Sequence, residues 1–171
     1  MKPKYRFQSL MKCLSSRLVL GCFLFCYFNV SAEVISGTVV AVHDGDTLTL
    51  KTQFEEKKIR LASIDAPELN QTYGAEARDK LKGLVLGKQV QVDFSKRDKY
   101  SRLVGKVVLN SDDINLKQVQ LGAAWVYREY LKEMPLKERT LYLEAEAQSK
   151  AAAAGLWKDA DVVEPWIWRK K

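Results

Sequence analysis

The chain has 171 residues, enough for one compact domain but short for two. With 47% hydrophobic and 29% charged residues, its composition is that of an ordinary globular protein, which excludes the disordered and collagen-like classes. The net charge of +7 is unevenly spread, because five of the 28 basic residues and none of the 21 acidic residues lie in residues 1–32. Residues 33–171 therefore carry a net charge of only +2, so any electropositive site must be local.

Residues 1–32 have the features of a secretory signal peptide. A basic start is followed by an apolar run over 18–30 and by small residues up to Ala32. We expect cleavage after Ala32, which leaves 33–171 as the mature domain, exported to the periplasm or the medium. The alternatives are an uncleaved membrane anchor, for which the run is short, and a lipoprotein signal at Cys22, which the apolar residues after it disfavour.

The cysteine and histidine content narrows the chemistry of the mature domain. All three cysteines lie in the predicted signal peptide, so we expect neither a disulfide nor a zinc–thiolate site. The single histidine, His43, excludes a two-histidine acid–base ribonuclease and histidine-ligated two-metal sites. Carboxylates, arginine, lysine, tyrosine and water remain for catalysis. Any metal ligands must be mostly oxygen atoms, which favours calcium or magnesium.

Five strands are predicted along the chain. The first is rich in β-branched residues, with a bulge at Gly37, and an Asp-Gly turn leads into the second. Pro67 closes the third, because proline cannot donate to a strand ladder. Alternating apolar residues define the last two. The predicted strands span residues 34–42, 47–52, 57–64, 88–95 and 103–109.

Three helices are predicted from helical spacing and glycine stops, at residues 73–86, 115–121 and 136–154. Gly87 and Gly122 follow the first two, and Gly155 is placed to be a left-handed C-cap of the third. The element order is typical of an OB fold. We therefore predict an α+β, mainly β, domain: a five-stranded antiparallel OB-fold barrel with about three helices. OB domains bind oligonucleotides, sugars and proteins, so the fold does not decide the function.

Two short segments place acids where a plain barrel does not need them. In Asp44-Gly-Asp-Thr, a hairpin turn explains the first acid but not Asp46, which begins the next strand. In the second segment, Arg60 lies within an otherwise apolar strand, and Asp65 and Glu68 flank the proline at its exit. A solvated arginine and an acid-rich turn would explain this segment equally well if it stood alone.

A third segment, residues 96–102, is a basic loop between two predicted strands. By itself it is explained by a solvated hairpin tip. Loops on rigid scaffolds also carry binding residues, however, and arginine binds phosphate oxygens in pairs. Together the three segments supply two carboxylates of the kind that bind metal, a third acid and two arginines. These are the residue types that a phosphodiesterase active site uses.

These motifs resemble the staphylococcal nuclease (thermonuclease) family. Three signature stretches occur in the order and at the approximate spacing of that family, at residues 44–47, 60–68 and 98–102. The resemblance covers nearly all of residues 34–169, and its later aromatic stretches resemble those of bacterial exported members in particular, at residues 124–127, 155–157 and 165–169. In the loop, Ser101 replaces the glycine that is usual in the family.

The resemblance implies a calcium site. Asp46 and Asp65 would bind Ca²⁺ through their carboxylates, and Ala66 would bind it through its main-chain carbonyl. Asp44 would lie beside the water near the metal. These roles are carried over from the family and not from the spacing of the residues.

The resemblance also implies the catalytic and substrate-binding residues. Arg60 and Arg102 would hold the scissile phosphate, and Glu68 would activate or orient the attacking water. Four further residues would contact the nucleotide, the first two near a terminal phosphate and the last two as the aromatic wall of a base pocket: Lys99, Tyr100, Trp125 and Tyr127.

The activity implied is that of a calcium-dependent, sugar-non-specific nuclease that leaves 3′-phosphate and 5′-hydroxyl ends. Its partners would be DNA and RNA, preferably single-stranded, and the protein would be a monomer that leaves the membrane once the signal is cleaved. The alternative class is a non-catalytic OB module that binds nucleic acid or another anionic polymer. It does not explain Asp46, Asp65 and Glu68, which would repel such a ligand if no cation were present.

The small residues before Glu33 predict where the exported protein begins. Intact-mass measurement of protein exported by a bacterial host should give a chain that starts at Glu33 and is soluble without detergent. A retained N-terminal segment, or a lipid on Cys22, would contradict this prediction.

Overall fold

The computed structural model describes residues 33–171. The predicted signal peptide, its cleavage site and the three cysteines lie outside the described residues. Within residues 33–171 there are eight strands: β1 (Glu33–Val42), β2 (Thr47–Lys51), β3 (Glu56–Leu61), β4 (Ile64–Asp65), β5 (Gln89–Arg97), β6 (Leu103–Leu109), β7 (Asp112–Asp113) and β8 (Trp125–Val126). The four α-helices are α1 (Gly74–Val85), α2 (Ile114–Gln120), α3 (Leu136–Ala151) and α4 (Pro165–Trp168), and two 3₁₀ turns span Arg128–Glu133 and Gly155–Lys158.

Five strands close into a barrel in the order β3-β2-β1-β5-β6, and β6 returns to pair with β3. Four of the five pairings are antiparallel, whereas the closing pair is parallel, with Ile59 opposite Leu103. The predicted OB-like barrel is confirmed. The parallel closure joins strands that are distant in sequence, and the local strand pattern carries no information about their relative direction.

Two glycines have other roles than those predicted. The irregularity in the β1–β2 ladder lies between Val39 and Ala41, so the bulge expected at Gly37 is wrong. A side chain at Gly37 would overlap the backbone carbonyl of Lys51, and the glycine instead permits close approach of the strands. Helix α3 ends earlier than expected, and Ala153 takes the left-handed conformation just after it.

Gly155 lies further along and also has a positive φ, of 58°. A side chain there would overlap the carbonyl oxygens of Leu121 and Gly122. The prediction that Gly155 caps α3 is therefore wrong, because this glycine serves a tight contact between the segments after α2 and α3.

Helix α2 ties together the loops that flank the cavity described below. Buried Asn115 donates from Nδ2 to the carbonyl of Ala62 (3.0 Å) and accepts at Oδ1 from the backbone nitrogen of Val107 (3.0 Å). Buried Gln118 donates to the carbonyl of Gly45 (2.8 Å). Each bond gives a buried backbone group a hydrogen-bond partner and fixes the segment that carries this group.

The described residues contain no helix that is both long enough and apolar enough to cross a membrane.

Candidate active site

A cavity of about 700 Å³ is formed where the β1–β2 turn, the exit of β3 and the β5–β6 loop meet. Ten of the eleven residues predicted from the sequence line it: Asp44, Asp46, Arg60, Asp65, Ala66, Glu68, Lys99, Tyr100, Arg102 and Tyr127. The predicted residues that reach this one cavity are up to 83 positions apart in sequence, from Asp44 to Tyr127. Trp125 is the predicted residue that does not line it.

Asp46 is only 5% exposed, and hydrogen bonds and an ion pair hold it in place. Its backbone nitrogen donates to Asp44 Oδ1 (2.9 Å), and its Oδ2 accepts from the backbone nitrogen of Ala66 (2.7 Å). Its Oδ1 accepts from the Thr47 hydroxyl (3.1 Å) and pairs with Arg60 Nε (3.1 Å). Burial raises the pKa of Asp46 to about 7; Arg60 opposes this shift, and the nearby Asp44 charge adds to it.

Asp65 is still more deeply buried, at 1% exposure. The short ladder between β4 and β8 fixes its backbone opposite Trp125. Its Oδ1 accepts from Arg60 Nη2 (2.9 Å), and its Oδ2 accepts from Arg169 Nη2 (2.7 Å). Burial raises its pKa, the hydrogen bond from Arg169 opposes that shift, and the charge of Asp46 reinforces it.

Arg60 is therefore the countercharge shared by the two buried acids. Its Nε faces Asp46 and its Nη2 faces Asp65, while Nη1 donates to the carbonyl of Leu61 (2.6 Å). In the parallel ladder Arg60 lies opposite Val104, two residues beyond Arg102. The closing strand pair thus brings both predicted phosphate-binding arginines to the same cavity.

The loop after β5 is organised by Asp98. Its Oδ1 accepts from the backbone nitrogens of Tyr100 (2.9 Å) and Arg102 (3.0 Å), and its Oδ2 accepts from Arg102 Nε (2.7 Å). Although burial acts to raise it, these hydrogen bonds lower the pKa of Asp98. Ser101 adopts a left-handed φ of 63°, which explains why glycine suits this position. Within the described residues, neither terminal nitrogen of Arg102 has a hydrogen-bond partner, so both are available to a ligand.

The aromatic residues divide into a buried group and a group that lines the cavity. Trp125 is 5% exposed and packs edge-on against Trp157 (5.2 Å between ring centroids) and Trp166 (6.5 Å). Tyr127 lines the cavity and contacts Tyr130 (5.0 Å). The ring of Trp125 is covered by two other tryptophans, so Trp125 does not reach the cavity in which a base would lie. Of the two residues predicted to form the base pocket, Tyr127 is the one that lines the cavity.

The residues that line the cavity without a role predicted from the sequence include Lys96, Tyr130 and Arg169. Arg169 is the most prominent, since it contacts both Asp65 and Glu68. Its stretch of sequence contributed to the resemblance, but nothing in it indicates a partner 104 residues away. The lysine and the tyrosine form a cation–π pair, with Lys96 Nζ 4.2 Å from the ring centroid.

The donor atoms fit a hard cation such as calcium. Asp46, Asp65 and Ala66 line one cavity and offer only oxygen ligands, and burial raises the pKa of both acids. Among residues 33–171, no three or more acid, histidine or cysteine side chains form a metal cluster. Two carboxylates and one carbonyl would therefore need water or substrate oxygens to complete a calcium shell.

The closed OB-like barrel and this cavity of carboxylates and arginines define a phosphodiester-hydrolysing nuclease, and comparison with known proteins gives its family. The staphylococcal nuclease homologue family matches residues 58–159. An Escherichia coli protein named "Uncharacterized endonuclease" is 43% identical over 151 residues, covering 87% of this chain and 94% of its own. A Shigella flexneri "Micrococcal nuclease" is 36% identical over 143 residues, covering 78% and 80%. The chain belongs to the staphylococcal nuclease family.

The predicted family and the predicted enzyme class are both confirmed. A "Uncharacterized endonuclease" of Haemophilus influenzae, 34% identical over 162 residues, covers 92% of this chain and 88% of its own. The alternative of a non-catalytic OB module is not favoured, because the relatives are named as nucleases and the acids and arginines of the predicted site are all present. The roles of the individual residues stay predictions.

The raised pKa of Asp46 predicts that the metal-free protein loses stability as the pH rises. A carboxyl group whose pKa is higher in the folded state binds more protons when folded, so its ionisation disfavours folding. Between the unfolded value of 3.8 and the folded value of about 7, the free energy of unfolding should therefore fall as the pH rises. Thermal denaturation in a chelator, followed across this pH range, measures the fall.

Asp46→Asn is the matched test, because asparagine has nearly the same shape and cannot ionise. This variant should lose the part of the decline that Asp46 contributes, while Asp65, whose pKa is also raised, keeps its own part, and the variant should be more stable than the wild type near neutral pH in chelator. Asp161→Asn, at an exposed position, controls for the loss of one negative charge. Equal declines in the wild type and in Asp46→Asn would show that Asp46 titrates normally.

Proposed function

We propose that this nuclease is calcium-dependent and sugar-non-specific, and that it hydrolyses DNA and RNA to 3′-phosphate and 5′-hydroxyl ends. The observation that supports this proposal is one cavity in which the oxygen donors Asp46, Asp65 and Ala66 face two arginines and Glu68. An anionic ligand and a cation can bind side by side there, whereas the acids alone would repel a phosphate.

The proposed mechanism follows from where charge develops. Hydrolysis adds negative charge to the phosphate oxygens in the transition state, and fixed donors stabilise that state more than the substrate. Asp46, Asp65 and Ala66 would hold a calcium ion, which would supply Lewis-acid stabilisation of the phosphate. The two terminal nitrogens of Arg102, which have no hydrogen-bond partner in the described part of the chain, would bind phosphate oxygens. Arg60 contributes a second cationic group once the phosphate competes with its carboxylate partners.

Glu68 would accept a proton from the attacking water. Its carboxylate is 35% exposed at the cavity, which leaves it accessible to water on one side. The proton would move to a Glu68 oxygen as the water oxygen bonds to phosphorus. The bond between phosphorus and the 5′ oxygen would break on the opposite side, where that oxygen would take up a proton from solvent water to become the 5′-hydroxyl. This proton transfer requires the Glu68 carboxylate to lie within hydrogen-bond distance of the attacking water, so its orientation matters for the rate.

Substrate selection would depend on the rim of the cavity. Lys99 and Tyr100 lie in the β5–β6 loop, where Tyr100 is 67% exposed, and Tyr127 forms part of the wall. A base must leave a duplex to stack on such a wall, so we propose a preference for single strands. We further propose that a monomer acts outside the cytoplasm, in the periplasm or the medium, after residues 1–32 are removed.

Lysine substitution of the two arginines tests the phosphate site. Lysine keeps the charge but loses the planar fork that binds two oxygens at once. Arg60→Lys and Arg102→Lys should each lower turnover on single-stranded DNA by roughly 10³-fold or more, as removal of a phosphate-clamping arginine does elsewhere. Arg78→Lys, on the exposed face of α1, should leave turnover unchanged. Wild-type turnover in a correctly folded Arg102→Lys variant would contradict the assignment.

The metal preference tests the rest of the site. Ca²⁺ accepts irregular shells of 6–8 oxygens, whereas Mg²⁺ requires a near-octahedral arrangement. A site with two carboxylates and one carbonyl should support activity in calcium and little or none in magnesium. Nucleotide should tighten calcium binding in calorimetric titrations, because its phosphate adds a ligand, and by linkage calcium should tighten nucleotide binding equally. Full activity in a chelator, or equal rates with both metals, would overturn the proposal.

A further inference from the structure

The last described residues form a strap across the edge of the active site. We call residues 163–169, which include α4, the C-terminal strap. The carbonyl of Val163 accepts a hydrogen bond from the side chain of Gln71. Trp168 Nε1 donates to Asn70 Oδ1 (3.3 Å), and the Trp166 ring lies 5.5 Å from that of Tyr127. The C-terminal strap is thus attached both to the loop after Glu68 and to the cavity wall.

This attachment brings Arg169 to two acids of the site. Arg169 Nη2 donates to Asp65 Oδ2 (2.7 Å), and Nη1 donates to Asp65 Oδ1 (3.3 Å). The same Nη1 donates to Glu68 Oε1 (2.7 Å). One guanidinium group therefore binds Asp65 through both oxygens and joins Glu68 to it, and the fixed fork of arginine makes this geometry specific.

The contact between Arg169 and the two acids differs from an ordinary surface ion pair. Exposed pairs contribute little to stability, and Arg169 is itself 44% exposed. However, Asp65 is almost fully buried, and the C-terminal strap has its own anchors in Trp166 and Trp168. The C-terminal strap therefore has attachments besides the bridging contact. Its distinctive effect is to place two like-charged carboxylates side by side, which would otherwise repel each other.

We propose that Arg169 is a positioning residue of the nuclease site, which holds the Glu68 carboxylate beside Asp65 so that it faces the attacking water. This inference rests on the proposed function of Glu68. Arg169 does not need to touch the substrate in order to act. It fixes one rotamer of a side chain that is otherwise free to turn toward solvent.

Loss of Arg169 should have two opposite effects. In Arg169→Ala, the Glu68 carboxylate is no longer held, and kcat should fall by about 10²-fold, as expected when a reacting group is misplaced by about 1 Å. KM should change little, because Arg169 is not proposed to contact substrate. Calcium binding to the substrate-free protein should instead tighten several-fold, because a positive charge next to Asp65 has been removed.

The experiment compares four proteins, each comprising residues 33–171: the wild type, Arg169→Ala, Arg169→Lys and Arg78→Ala. Steady-state hydrolysis of single-stranded DNA in saturating calcium gives kcat and KM, and calorimetric titration of calcium without substrate gives the metal affinity. The lysine variant keeps the charge but cannot bridge both acids, so its kcat should be intermediate and its calcium affinity close to that of the wild type. Arg78→Ala, outside the cavity, controls for net charge and should match the wild type in all measurements.

Two results would overturn the role of Arg169 while leaving the nuclease proposal intact. One is a wild-type kcat in Arg169→Ala. The other is a parallel loss of kcat, calcium affinity and thermal stability, which would indicate a purely structural contact. An inactive wild-type protein in calcium would instead refute the proposed function, and the role of Arg169 with it.

Discussion

The arrangement of the site depends on one electrostatic constraint, the burial of two like-charged carboxylates beside each other. Moving a charge out of water costs several kcal/mol unless it is paired and hydrogen-bonded. Asp46 and Asp65 share Arg60 as a countercharge, and the backbone nitrogen of Ala66 donates to Asp46. Even so, the pKa of each acid stays raised. Burial causes this shift although Arg169 also pairs with Asp65, and the protein thus holds two desolvated carboxylates in fixed positions at the cavity, an arrangement that favours binding of a cation.

The barrel and α2 supply the rigidity that this constraint requires. Two mutually repelling acids would separate if their loops were free to move. Gln118 binds the turn that precedes Asp46, and Asn115 binds the carbonyl of Ala62 in the turn that precedes Asp65. The β4–β8 ladder then fixes Asp65 from the other side. The buried amides of α2 therefore serve the site as well as the fold, because they hold backbone groups and leave the acid side chains free to face the cavity.

Three of the four arginines that line the cavity differ in the partners they bind. Arg60 is committed to two buried acids, and Arg169 joins one of those acids to Glu68. Arg102 has a single carboxylate partner, which leaves its terminal nitrogens unpartnered within the described residues. Because a guanidinium group presents five donors in one plane, a single residue type can neutralise, bridge or remain available. The partners that the fold provides decide which of these an arginine does.

The sequence by itself determined the features that depend on near neighbours. Strand alternation, glycine stops and the Asp-Gly turn act within a few residues, and they gave the five barrel strands and the three long helices nearly at their observed bounds. The family motifs also located the cavity. Only the tertiary structure decided the parallel closure of β3 on β6, the burial of Trp125 and the contact of Arg169 with Asp65. Each of these depends on packing between segments far apart in the chain, about which local propensity carries no information.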